Sequence, residues 1–109
     1  AHNYRKEIQF DLNFPDKKND KGNVTLAWGE DKTFPSVSVL ANGEIRIHQG
    51  NGERDTNTIN VKEVAPGKFF RVKVVEEAEN LVVFVNNKEV LKGKKVMPKA
   101  DPKLYLTVT

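Results

Sequence analysis

Apolar and polar residues alternate along most of this chain. In residues 4–12, Ile8, Phe10 and Leu12 alternate with Glu7, Gln9 and Asp11, the period-2 pattern of a strand with one face in a core and the other in water. Val24, Leu26 and Trp28 repeat it. Parity therefore turns Trp28 inward, unless a bulge near Gly29 resets the alternation. After a break over residues 29–35, Val37 and Val39 resume the pattern. Asn42-Gly43 then predicts a hairpin, because both residue types tolerate positive φ. The return strand carries Ile45 and Ile47 toward the core, which puts Glu44, Arg46 and His48 on the outer face.

The second half continues in the same style. Residues 48–60 read HQGNGERDTNTIN, in which only Ile59 is apolar. Residues 58–64 predict a strand with Ile59 and Val61 inward, and Pro66-Gly67 predicts a turn with Pro at its second position and Gly at its third. Phe70, Val72 and Val74 alternate with Arg71 and Lys73, residues 76–80 read as a connection, and residues 81–85 are apolar throughout. An unbroken apolar run predicts a central strand covered on both faces. Asn86-Asn87 turns the chain into Val90-Leu91, the lysines of residues 92–95 read as a solvated loop, and Leu104, Leu106 and Val108 mark a last strand. About nine strands at 8–12-residue spacing predict an all-β fold, an antiparallel β-sandwich or barrel, with residues 1–109 as a single domain.

Composition agrees with the pattern. The chain has 14 Val, 4 Ile and 6 Thr against 6 Ala and 7 Leu among 109 residues, a β-branched bias that favours sheet over helix. Charged residues make up 30% of it, and no apolar run approaches the roughly 20 residues of a membrane-spanning helix. With no cysteine, a disulfide scaffold, a thiol nucleophile and a zinc finger are excluded. The net charge of +3 comes from 18 basic and 15 acidic residues spread along the chain. That is a solubility pattern, whereas nucleic-acid binders gather their cations on one face and interleave aromatics. The opening Ala-His-Asn-Tyr has neither a charged nor an apolar leader region, so any signal peptide is expected to have been removed or never to have existed.

Catalytic chemistry finds little support. Paired carboxylates at Glu7 and Asp11, or at Glu77 and Glu79, lack the aromatic residues that would line a sugar cleft. Ser36 and Ser38 are the only serines and lie on a regular strand, not on a strained nucleophile turn. A binding role fits better. Arg46 and His48 project together from the outer face of the hairpin, and Asn51, Arg54 and Asn60 follow within reach if the loop folds back over the sheet. Sugar hydroxyls are recognised by planar groups that donate and accept in fixed geometry, as Arg, Asn and neutral His do. The same residues would also suit a solvated strand face followed by a polar loop. No metal ligand set and no cofactor motif is evident.

Residues Pro66-Gly67-Lys68-Phe69-Phe70-Arg71-Val72-Lys73-Val74, followed by Leu81-Val82-Val83-Phe84-Val85-Asn86-Asn87-Lys88-Glu89-Val90, resemble the hairpin of galectins and laminin-G-like domains. There a Pro-Gly turn leads into a strand, and a second strand ends in an Asn-containing turn. Residues 24–30 and 45–60 are similar in order and spacing to the galectin strands preceding that hairpin, so the resemblance spans residues 4–109. It implies a concanavalin-like jelly roll acting as a non-enzymatic carbohydrate-binding module with a glycan or glycoprotein ligand; the expected setting is extracellular or secreted, with the cytoplasm left open because the absence of Cys fits either side of a membrane. Galectins hold β-galactosides with a His-x-Asn-x-Arg strand, a neighbouring Asn and a Trp-x-x-Glu-x-Arg strand. Here the resemblance assigns His48, Asn51 and Arg54, at wider spacing, to the first and Asn60 to the neighbouring Asn. No Trp strand follows Asn60. The alternative expectation is a protein-interaction or adhesion domain that offers an edge strand to a partner, a homodimer included.

Overall fold

Alternation becomes two sheets. A computed structural model describes residues 5–16, 21–28, 35–49, 56–95 and 104–109. Strands β1 (Arg5–Leu12), β6 (Phe70–Glu77), β7 (Asn80–Val85) and β8 (Lys88–Lys94) form one sheet in the order β1-β6-β7-β8. Strands β2 (Asn23–Trp28), β3 (Ser36–Leu40), β4 (Glu44–His48), β5 (Thr56–Asn60) and β9 (Leu104–Val108) form the other, in the order β5-β4-β3-β2-β9. Every pairing is antiparallel. The fold is thus an all-β antiparallel sandwich, as the strand spacing predicts.

The core lies between the sheets. Val24, Leu26, Trp28, Val37, Val39, Ile45 and Ile47 from one sheet meet Phe70, Val72, Val74, Leu81, Val83 and Val85 from the other, all buried. Each fully buried aliphatic side chain of this kind contributes about 1.5–3 kcal/mol. Strand β7 is central, with Leu81, Val82, Val83 and Val85 buried, as expected of an apolar run covered on both faces. Strand β8 lies over β4 and β5, where Asn57 Nδ2 donates to the Lys92 carbonyl at 3.2 Å. The sheets approach closely here because Gly93 faces inward, and a Cβ at that position would stand 3.0 Å from Ile47 Cγ2.

Four local expectations need correction. The fifth strand runs over Thr56–Asn60 rather than 58–64. Val61 and Val64 are buried in the turn beyond it, where the Val61 N–H donates to the Gly43 carbonyl at 2.8 Å. Apolar side chains that seal the end of a sandwich read in sequence like strand residues. The β3–β4 turn has positive φ at Gly43 alone, whereas both Asn86 and Asn87 adopt it between β7 and β8. The two-residue primed turn therefore sits at Asn86-Asn87.

The remaining two corrections share one cause. Glu76 and Glu77 belong to β6, not to a connection, and β8 extends through Lys94. Glu76 faces inward and is buried. Its Oε1 accepts the Trp28 indole N–H at 2.9 Å, and its Oε2 accepts from Lys95 Nζ at 2.9 Å. The Lys95 and Glu76 side chains are only 5% and 4% exposed. Lys95 is therefore not the solvated loop residue its neighbours suggest, and Trp28 is a core residue that ties one sheet to the other.

Candidate functional site

Because side chains alternate and the strands pair in register, one set of residues must share the outer face of the five-stranded sheet. On β4 these are Glu44, Arg46 and His48. Opposite them on β5 stand Asn60, Thr58 and Thr56, and on β3 Ser38 faces Arg46 while Ser36 faces His48. Ser38 pairs in turn with Thr25 and Ser36 with Ala27 on β2. Thr107 and Tyr105 of β9 flank those two. A core of Val, Leu and Ile on one side of the sheet thus produces a largely polar face on the other, interrupted by Ala27 and Leu40.

Several of these groups are held in place. Arg46 Nε donates to Glu44 Oε2 at 2.8 Å, with Nη2 on the same oxygen, so the guanidinium is oriented by its strand neighbour two residues back. Thr25 Oγ1 donates to Asn23 Oδ1 at 3.0 Å and lies 2.9 Å from Ser38 Oγ. Thr25 has a single hydroxyl hydrogen, so Ser38 is the donor in that second contact. This relay of Ser38, Thr25 and Asn23 ends beside Arg46. His48 is half-buried, and its Nδ1 is buried without a hydrogen-bond partner among the described residues. An orphaned buried ring nitrogen is unfavourable unless a ligand or water meets it.

Of the five residues singled out in the sequence, the structure places three on this face, with His48 and Asn60 at opposite ends of the β4–β5 pair. Arg46 and His48 lie on one strand, and Asn60 is exposed on the neighbouring strand opposite Glu44. Asn51 and Arg54 lie outside the described residues. Trp28 does not belong to this face, being 3% exposed and turned into the core. Among the described residues, the aromatic that does share the face is Tyr105, half-buried beside Ala27. Its signal was parity, since it alternates with Leu104 and Leu106, but an isolated Tyr at a chain end draws no attention without its partner strand. His48 and Tyr105 are three strands apart, about 14 Å at normal interstrand spacing.

Two carboxylates of β1 are held in ion pairs. Arg71 Nε donates to Asp11 Oδ1 at 2.9 Å and Arg5 Nη2 to Glu7 Oε1 at 2.7 Å. These bonds hold both carboxyls below their usual values, opposite to the rise a general acid needs. Among the described residues no three His, Asp or Glu gather as a metal site, and no helix is long and apolar enough to cross a membrane.

No protein-family model matches the sequence, and no curated protein matches it. Solved structures do. The chain is similar to sheep galectin-11, solved in complex with glycerol, at 12% identity and a TM-score of 0.72 over 99% of this chain and 91% of that one. It is also similar to the carbohydrate-binding module CBM66 from Bacillus subtilis, at 10% identity and a TM-score of 0.65, over 100% of this chain and 68% of that one.

Proposed function

We propose that this chain, with its galectin-like jelly-roll fold, is a non-enzymatic lectin-like module that recognises glycans on the outer face of its five-stranded sheet. The observation that carries the reading is the fixed polar array on that face. A guanidinium bonded to Glu44, a hydroxyl–amide relay, an imidazole nitrogen without a partner among the described residues and the exposed Asn60 amide are spread along it. Such a surface offers directional donors and acceptors with little apolar area, which suits a polyhydroxylated ligand better than a protein or lipid. Arg46, His48 and Asn60 would contact the ligand, with Asn51 and Arg54 joining from the segment between β4 and β5. Tyr105 would close the far end as a stacking surface. The proposed setting is extracellular or secreted, with glycans or glycoproteins as partners.

A glycan array probed with the folded protein tests this. The expected result is selective retention of a small group of neutral or weakly charged glycans, lost in Arg46→Ala. Retention of none would refute the reading.

A second reading rests on a separate observation. Leu104, Leu106 and Val108 of edge strand β9 point the same way as buried Trp28, Leu26 and Val24. Yet Leu106 is 57% and Val108 70% exposed. An edge strand with an open apolar row invites another strand, and this favours self-association as a homodimer. In light scattering, the protein is expected to run as a dimer at high concentration and Leu106→Lys as a monomer. An unchanged mass would dismiss the reading.

A further inference from the structure

On the other sheet, at the end of β6, a shallow recess is lined by Asp11, Phe69, Phe70, Arg71, Asn86 and Asn87. Asp11 and Arg71 lie on the outer face of the four-stranded sheet, so the recess is on the side of the sandwich opposite Arg46. A lone exposed phenyl ring is an ordinary surface feature. Here, however, Phe69 is 72% exposed and stands among polar groups that are already oriented.

Arg71 is fixed twice. Its guanidinium donates to both carboxylate oxygens of Asp11, at 2.9 and 3.4 Å. Its backbone N–H donates to Asn86 Oδ1 at 2.9 Å, while the Asn86 N–H returns a bond to the Arg71 carbonyl at 2.9 Å. With Oδ1 engaged, the Asn86 amide presents its NH₂ as a donor. Asn87 follows at positive φ in the same turn. The recess therefore combines a stacking ring, a carboxylate acceptor, guanidinium donors and two amides on a rigid hairpin.

We propose that this recess is a second carbohydrate subsite, one that takes a neutral sugar ring against Phe69 with its hydroxyls on Asp11, Arg71, Asn86 and Asn87. The C–H face of a sugar ring supplies the apolar, weakly positive surface that an aromatic face attracts. Neutrality follows from the ion pair. Asp11 and Arg71 cancel each other, so the lining carries no net charge with which to draw a sulfated or uronic ligand. The site does not depend on the glycan reading of the opposite face. If both hold, one chain binds two glycans on opposite sides and can bridge them without dimerising.

Residue-resolved amide shifts test the proposal, with lactose, maltose and sucrose as neutral probes and a heparin disaccharide as the charged one. At least one neutral sugar is expected to shift the amides of Phe69, Arg71, Asn86 and Asn87 saturably. Phe69→Ala should weaken that binding about tenfold or more, and Phe69→Trp should retain it. Phe69 is exposed, so these variants are expected to fold, and their dispersed spectra check it. Recess shifts that survive Phe69→Ala, or that only the heparin disaccharide produces, would overturn the proposal. Shifts confined to β3, β4 and β5 would overturn it while supporting the reading of the opposite face. No shift anywhere with these probes would overturn it too.

Discussion

Replacing Glu76 with alanine is expected to destabilise the protein by about 3–5 kcal/mol, the range for removing one partner of a buried ion pair. Two groups lose a carboxylate acceptor at once, the Lys95 ammonium one of its interactions and the Trp28 indole N–H its bond across the sheets. Both lie between the sheets, where water cannot easily replace the carboxylate. For a domain whose total stability is of order 5–15 kcal/mol, such a loss brings the fold close to its limit. In urea denaturation the midpoint should fall steeply with little change in slope. The Glu76→Leu, Lys95→Met double variant should recover about half of the loss, because an apolar pair avoids desolvating two charges. What remains is the unaccepted Trp28 N–H, about 1–3 kcal/mol. A Glu76→Ala variant as stable as the parent would mean that the three side chains do not form this buried cluster.

The second large effect is expected where β8 crosses β4. Ile47 is fully buried and touches the one inward position, Gly93, at which the opposing strand carries no side chain. Ile47→Ala should cost about 2–5 kcal/mol through lost burial and the cavity left behind. Gly93→Ala should cost about 1–3 kcal/mol by overpacking, since its new Cβ would stand 3.0 Å from Ile47 Cγ2 and 3.2 Å from Asn57 Nδ2. The double variant should cost clearly less than the sum, because the methyl group added at 93 occupies space vacated at 47. Strict additivity in a double-mutant cycle would show that the two positions are not in contact.

These cases show what could be read from the chain and what could not. The inward parity of Trp28 and the outward parity of Arg46 and His48 follow from period-2 alternation, and the central place of β7 from its unbroken apolar run, all local properties. The role of Glu76 does not. Its acceptor duties link residues 48 and 19 positions away, and no local pattern marks a carboxylate that two distant donors neutralise. Lys95 is hidden for the same reason among lysines that are exposed. Val61 and Val64 mislead in the opposite sense, being apolar by virtue of sealing an end of the sandwich. For the candidate site, parity identified the strand and the face. The partners across it, Ser38, Thr25 and Tyr105, emerge only once the order β5-β4-β3-β2-β9 is known.

Arg46 stands near the centre of the glycan site proposed on the outer face of the five-stranded sheet. Calorimetric titration of the parent and Arg46→Ala with the glycan best retained on the array tests it most directly. Arg46 is exposed and opposite no core residue, so the variant should unfold at nearly the parent temperature while its affinity falls about tenfold or more. Equal affinities in two equally folded proteins would rule out a glycan site centred on Arg46.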